Sequence, residues 1–185
     1  MARKAIKEMN AQAKTGKPFF NHWMTVSNHR PFTYPEGRID IPGTAKSRQG
    51  GVKYTDYALK LFFELAKKES WFKDTVFVIV ADHCASSAGR TELPLDRYRI
   101  PCLIYADFLE AKRVDTLASQ IDVMPTVMGL LNFSYESKFL GQDIFSGFYY
   151  NPRAYIATYR ELGYLTPDTL SIIKPLREQI QLQIP

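Results

Sequence analysis

The segment TVFVIVA, residues 75–81, decides the fold, and it is followed at once by Asp82 and His83. Its side chains are apolar or β-branched throughout, which is typical of a strand covered on both faces in the parallel sheet of an α/β protein. A second run of this kind, IPCLIYA, occupies residues 100–106. Helical patterns alternate with these two runs. The alternation predicts an α/β fold with a mainly parallel sheet sandwiched by helices.

The other predicted elements extend this pattern in both directions. Apolar residues recur at helical spacing over residues 2–14 and 54–68, and a third helix is predicted to begin near Asp122. The run FFNHWMTV, residues 19–26, predicts a buried strand that leads into a long loop. Short β-like stretches near the end of the chain predict a small antiparallel subsheet, over residues 154–159, 163–165 and 170–173.

Composition indicates one folded domain. The chain has 185 residues, of which 45% are hydrophobic and 23% charged, so it is neither disordered nor fibrous. The net charge of +5 permits an anionic substrate, but the basic residues are scattered and carry no nucleic-acid-binding motif. No apolar run approaches the roughly 20 residues that cross a bilayer. The two cysteines, Cys84 and Cys102, form neither a disulfide framework nor a metal knuckle.

Two strand ends carry polar side chains that suit a binding site. Asp82 and His83 follow the first apolar run, and His29 with Arg30 follows the predicted strand 19–26. Ligands bind beyond the carboxyl ends of strands in open α/β sheets. A carboxylate with an imidazole suits Zn²⁺ or Mn²⁺, whereas Ca²⁺ prefers oxygen ligands. Spacing alone leaves the plainer alternative ahead, in which Asp82 caps the following turn and His83 fills a polar surface gap.

Other candidate residues have weaker support. His22 lies inside an apolar run, which favours an interior position, and Cys84 is either a third metal ligand or a loop thiol. Arg30 and Arg90 are candidates for holding an anionic group, because guanidinium matches phosphate or sulfate with two parallel donors. The chain contains no GxSxG elbow, P-loop or glycine-rich dinucleotide loop.

Several segments together resemble the lipoteichoic acid synthase-like branch of the sulfatase family, within the alkaline phosphatase superfamily. The run FFNHWMTVSNHRPF, residues 19–32, resembles the family's strand and its T/S-N-H-x-P-F turn, and TVFVIVADH resembles the strand that ends in a metal-binding Asp-His pair. Three later landmarks follow in the same order, namely RIPCLIY (99–105), QIDVMPTVMGLL (120–131) and FLGQDIF (139–145).

The resemblance implies a metal-dependent transferase of phosphoglycerol- or phosphoethanolamine-type groups, which acts on phospholipid-derived phosphodiesters. It implies Asp82 and His83 as ligands of a divalent metal, most often Mn²⁺ with Zn²⁺ or Ca²⁺ as alternatives, and His29 as a substrate-binding or proton-transferring residue. The family's threonine nucleophile lies upstream of the segment that His29 matches. We therefore expect this chain to be the C-terminal part of a catalytic domain, inactive alone, from a parent anchored in the membrane with its catalytic domain outside the cytoplasm.

On this reading the chain is one domain with three parts: a lead helix (1–17), the α/β part that matches the family (18–146) and a β-rich end (147–185). Two alternatives stay open. One is a sulfatase proper, with a formylglycine derived from a C/S-x-P-x-R motif, and the other is a sulfatase-fold binding module without catalysis. Oligomeric state cannot be predicted from these patterns.

Overall fold

The computed structural model of the chain describes residues 1–85 and 93–184. The chain divides into two compact units, Met1–Thr75 and Val76–Pro185. None of the helices in the described residues is both long and apolar enough to span a membrane.

The N-terminal unit is built on two packed helices. These are α1 (Ala2–Ala13) and α2 (Arg48–Ala66), and both were predicted from the helical spacing of apolar residues. The buried face of α1 includes Ile6 and Met9, while Trp71, just after α2, donates its indole N–H to Asn10 Oδ1 at 2.7 Å. α2 begins earlier than predicted because the Ser47 hydroxyl caps it, accepting the N–H of Gly50 at 3.1 Å.

The predicted buried strand over residues 19–26 is wrong. These residues form no regular secondary structure, and the side chains of Phe20, Met24 and Val26 are 76%, 68% and 68% exposed. A strand needs a neighbour to take up its backbone N–H and C=O groups. The N-terminal unit contains no β-strand in its 75 described residues, so the apolar run has no ladder to join.

The two apolar runs at the start of the C-terminal unit form the strands predicted for them. β1 (Phe77–Val80) and β2 (Cys102–Tyr105) make a two-stranded sheet in the register Phe77↔Tyr105 and Val80↔Cys102. The pairing is antiparallel, whereas we predicted a mainly parallel sheet. A parallel pair needs a crossover, usually through a helix, and the described residues between the strands hold only the four-residue α3 (Leu95–Tyr98). An apolar run favours a strand but does not specify the direction of the neighbouring strand. Nor are both faces covered as predicted in this chain, since Val80 and Leu103 are 38% and 58% exposed.

The C-terminal residues form the antiparallel subsheet predicted from the sequence. It is a four-stranded meander in the order β3-β4-β5-β6, and Ile156, Leu170 and Ile172 on its apolar face form a buried cluster with Leu93. The strands are β3 (Ala154–Ala157), β4 (Leu162–Leu165), β5 (Thr169–Ile173) and β6 (Gln179–Gln183). β6 was not predicted, because its sequence QIQLQ is mostly polar and reads as loop.

The third predicted helix is α4 (Val123–Leu130), which follows a single 3-10 turn at Gln120–Asp122. Asp122 and Thr126 are each 1% exposed, so a carboxylate and a hydroxyl are buried at the start of this helix. That burial needs hydrogen-bond partners, which come from distant parts of the C-terminal unit.

Candidate metal centre

Asp82 and His83 follow β1 after a single residue, Ala81, and their side chains face each other. Asp82 Oδ1 accepts the backbone N–H of His83 at 3.0 Å, which leaves Oδ2 facing the imidazole. His83 Nε2 lies 3.4 Å from Asp82 Oδ2, and both side chains are exposed. The pair therefore presents one oxygen and one nitrogen side by side to solvent.

The imidazole of His83 has a fixed tautomer. Its Nδ1 lies 2.8 Å from the carbonyl oxygen of Cys84, and because a carbonyl can only accept, Nδ1 carries the hydrogen. In the neutral imidazole the lone pair is then on Nε2, the nitrogen that faces Asp82. Metal-binding histidines are commonly held in this way, with the second ring nitrogen donating to a carbonyl or carboxylate.

The geometry of the pair fits two ligands of one ion. Ligands about 2.1 Å from a zinc ion at tetrahedral angles lie about 3.4 Å from each other, which is the separation of Asp82 Oδ2 and His83 Nε2. Over residues 1–85 and 93–184, no group of three or more His, Cys, Asp or Glu side chains converges on one point. The described residues would thus supply two of the ligands of such an ion.

His29, in the N-terminal unit, adopts the same side-chain arrangement as His83. Its Nδ1 lies 2.8 Å from the carbonyl oxygen of Arg30, so in the neutral ring Nε2 carries the lone pair, and the residue is exposed. A turn holds the backbone, with the His29 N–H donating to Val26 O and the His29 carbonyl accepting from Phe32. Gly51 of α2 allows this turn to approach, since a Cβ there would lie 2.3 Å from Ser27 O.

The remaining predicted residues are placed as follows. Arg30 is exposed beside His29, and Cys84 is half-buried in the loop after His83. His22 is exposed, so its predicted interior position is wrong, for the same reason that the strand around it does not form. Arg90 lies outside the described residues.

One residue that holds the candidate site was missed in the sequence. The side-chain amide of Gln120 donates to the backbone carbonyls of Ala81 and Asp82, at 2.9 Å each. Gln120 is 38 residues beyond Asp82. The motif QIDVMP contains it, but nothing in that motif indicates that the glutamine reaches back to the end of β1.

Comparison with known proteins decides the family. The sequence profile of the sulfatase family matches residues 1–133, which is more than two thirds of the chain. The chain belongs to the sulfatase family.

The relatives of this sulfatase-family chain include two lipoteichoic acid synthases. Lipoteichoic acid synthase 2 of Bacillus subtilis is 26% identical over 151 residues, which cover 70% of this chain and 23% of that protein. The lipoteichoic acid synthase of Staphylococcus saprophyticus is 31% identical over 155 residues, covering 72% of this chain and 24% of the relative. The chain therefore spans about a quarter of the length of these relatives.

A solved structure confirms the fold of this sulfatase-family chain. A protein of the alkaline phosphatase superfamily from Vibrio parahaemolyticus is 34% identical and superimposes with a TM-score of 0.91 over 100% of this chain and 46% of its own. The predicted α/β class, the alkaline phosphatase-like fold and the C-terminal antiparallel subsheet are thus confirmed. The roles of Asp82, His83 and His29 stay predictions.

A buried ion pair lies at the start of α4, next to the segment that carries Gln120. Arg153 forms two parallel hydrogen bonds with Asp122, from Nη1 to Oδ2 at 2.6 Å and from Nη2 to Oδ1 at 2.8 Å. The side chains are 4% and 1% exposed. The backbone N–H groups of Ser119 and Gln142 donate to the same carboxylate, each at 2.8 Å. Tyr150 contributes a longer contact of 3.2 Å from its hydroxyl to Oδ2. Charge and hydrogen-bonding capacity are therefore satisfied inside the core.

The segment FLGQDIF wraps around this buried pair. Arg153 Nη2 also donates to Leu140 O at 3.1 Å, and the N–H of Ile144 donates to the Thr126 hydroxyl at 3.1 Å. Gly141 allows the close approach, because a Cβ at that position would lie 1.9 Å from Ile121 O. The segment FLGQDIF, residues 139–145, thus holds the start of α4 in place through these hydrogen bonds.

The pair makes stability depend on pH in acid. Burial raises the pKa of Asp122, but hydrogen bonds from Arg153, Gln142 and Ser119, together with the guanidinium charge, outweigh it and hold the pKa below the ordinary value. A carboxyl whose pKa is lowered by folding stabilises the folded state above its unfolded-state pKa of 3.8, and this contribution is lost as the pH falls through the folded-state pKa.

We expect the stability difference between wild type and Asp122→Asn to be large at neutral pH and to narrow as the pH falls below the unfolded-state pKa. The reason is that the protonated carboxyl of wild type then resembles the neutral amide of the variant. Urea midpoints measured at pH 7 and again in acid check this. A difference that stays constant over that range would contradict the assigned charge state of Asp122.

Proposed function

We propose that this chain is the metal-binding, C-terminal part of the catalytic domain of an enzyme that transfers a phosphoglycerol- or phosphoethanolamine-type group from a phospholipid-derived phosphodiester. We call the longer protein the parent. The observation that carries the proposal is the convergence of Asp82 Oδ2 and His83 Nε2, with Nδ1 of His83 committed to Cys84 O. Support for the substrate class comes from the similarity to lipoteichoic acid synthases.

Asp82 and His83 would hold a divalent ion, Mn²⁺ by resemblance to the family. When bound, such an ion lowers the pKa of a hydroxyl nucleophile and offsets negative charge on phosphoryl oxygens. The chain's own contribution is to fix one carboxylate oxygen and one imidazole nitrogen in the geometry described above. The nucleophile, a threonine by the same resemblance, and the remaining ligands are proposed to come from other parts of the parent.

His29 and Arg30 are proposed to act on the substrate. His29 has Nε2 available, since Nδ1 donates to the Arg30 carbonyl, so it can accept a proton from an attacking hydroxyl or hydrogen-bond a leaving group once protonated. The exposed guanidinium of Arg30 suits a phosphodiester oxygen. We extend the same substrate role to Arg90, which follows His83 by seven residues in the sequence.

A sulfatase proper is the alternative, and the description of the matching family favours keeping it. The nitrogen ligand of His83 weighs against it, because sulfatases usually bind Ca²⁺ through oxygens. We also propose, from resemblance alone, that the parent is membrane-anchored with this domain outside the cytoplasm.

The test uses the purified parent with two substrates, a phospholipid with a phosphoglycerol headgroup and an aryl sulfate. We expect release of diacylglycerol from the lipid. A chelator should reduce this activity at least about tenfold, and added Mn²⁺ should restore it. Hydrolysis of the sulfate ester alone would favour the sulfatase alternative. Absence of both activities in a folded, Mn²⁺-loaded parent would favour the binding module.

A further inference from the structure

The side chain of Gln120 bridges two successive peptide groups at the end of β1. Its Nε2 donates to Ala81 O and to Asp82 O, both at 2.9 Å. A side-chain amide carries two N–H donors, so both bonds can form at the same time. The two carbonyls belong to the peptide groups on either side of Asp82.

These bonds act where the sheet no longer holds the backbone. The last residue pair of the β1–β2 ladder is Val80↔Cys102, and the Ala81 N–H makes one more bond, to Pro101 O at 3.3 Å. Fixing the peptide planes before and after a residue fixes its φ and ψ angles, and these set the direction of its side chain. Gln120 thereby sets the direction in which Asp82 projects.

The effect extends from Asp82 to His83. The carboxylate of Asp82 accepts the His83 N–H through Oδ1, and Oδ2 faces His83 Nε2 at 3.4 Å. If the peptide plane between these residues rotates, the N–H moves away from Oδ1 and the two donor atoms no longer face the same point. One glutamine therefore controls the geometry of both predicted ligands.

Gln120 is itself held in place by a hydrogen-bond network in the core. Its neighbour Ser119 donates its N–H to Asp122 Oδ2 at 2.8 Å, and Asp122 N–H donates to Ser119 O at 2.9 Å. Asp122 is fixed in turn by the buried guanidinium of Arg153, next to β3. The glutamine thus connects the start of the C-terminal sheet to the end of β1 through a continuous series of hydrogen bonds.

We propose that Gln120 is a positioning residue, which holds the Asp82–His83 pair in its ligand geometry without touching metal or substrate. The hydrogen bonds described above support the positioning role of Gln120, and only the statement that this role serves metal binding rests on the proposed function. The side-chain amide of Gln120 contacts the backbone of Ala81 and Asp82, so it can act through Asp82 and not on the reacting groups.

The first test measures amide hydrogen exchange by NMR in this chain. Gln120→Met keeps the length of the side chain but has no donor, and we expect the His83 amide to exchange about tenfold faster. Gln120→Lys restores donors on a longer stem and is expected to recover most of the protection. Gln181→Met, at an exposed position on β6, is the matched control and should change exchange at His83 by less than about twofold.

The second test follows broadening of the His83 resonances as Mn²⁺ is added. We expect Gln120→Met to need about tenfold more Mn²⁺ than wild type for the same broadening, and Gln120→Lys to need less than Gln120→Met.

Each outcome decides between the two ideas. If the His83 amide in Gln120→Met exchanges as in Gln181→Met, the positioning role is overturned whatever the metal does. If Asp82→Asn leaves the Mn²⁺ broadening unchanged, the proposed metal centre is overturned, and the exchange data still decide whether Gln120 holds the loop.

Discussion

Replacing Arg153 with methionine is expected to lower the free energy of unfolding by about 3–5 kcal/mol. The substitution keeps much of the side-chain volume but removes the guanidinium, so Asp122 keeps a buried negative charge with only the N–H groups of Ser119 and Gln142 and the hydroxyl of Tyr150 beside it. A carboxylate that is 1% exposed cannot recover the lost interaction from water. Urea unfolding followed by circular dichroism measures the change.

The control is Arg113→Met, which removes another arginine–aspartate contact. Arg113 Nε lies 2.7 Å from Asp115, but both side chains are well exposed, so a loss of only about 0–1 kcal/mol is expected. The double variant Arg153→Met/Asp122→Leu removes both charges and should regain part of the stability lost in Arg153→Met. Equal decreases in the free energy of unfolding for Arg153→Met and Arg113→Met would mean that the buried pair does not stabilise the core more than an exposed pair does.

The second large effect is expected for Asp82→Asn in the parent, with phosphotransfer reduced by about 10²-fold or more. Asparagine keeps the shape of the side chain but replaces an anionic oxygen with a neutral amide, which binds a divalent ion more weakly and offsets less of its charge. A 10²-fold loss corresponds to about 2.7 kcal/mol in the activation free energy. Initial rates at saturating Mn²⁺, with the folded state checked by thermal unfolding, measure it.

Asp168→Asn is the matched control, because this aspartate is exposed at the turn before β5. It should keep activity within about twofold of wild type. Full activity of Asp82→Asn at low Mn²⁺ concentration would remove Asp82 from the metal centre and with it the main support for the proposed function.

The elements that sequence patterns predicted correctly are those with a strong local signal. The helical spacing of α1 and α2 and the apolar runs of β1 and β2 are visible without any knowledge of the partner elements. The segment 19–26 has an equally apolar sequence but forms no strand, because strand formation depends on a hydrogen-bonded neighbour that no local pattern specifies. The antiparallel direction of β2 was beyond prediction for the same reason.

The residues of the candidate site likewise separate into those that a local sequence pattern identifies and those that it does not. Asp82 and His83 are consecutive, so their proximity is a property of the local sequence and the family motif identifies them. Gln120 meets Asp82 across 38 residues, and Arg153 meets Asp122 across 31. A lone glutamine or arginine is usually a solvated surface residue, so only the folded chain distinguishes these two from the others of their type.

The buried ion pair also bears on where this part of the protein can be divided. The match to the sulfatase family ends at residue 133, yet three groups that hold Asp122 come later in the chain, from Gln142, Tyr150 and Arg153. A truncation or a chimaera joined at residue 133 would keep Asp122 but lose Arg153, the arginine that forms the ion pair with it. A junction placed at the end of the family match would therefore cut through the hydrogen-bond network of Asp122, and a viable junction has to keep residues 139–145 and the start of β3 together with α4.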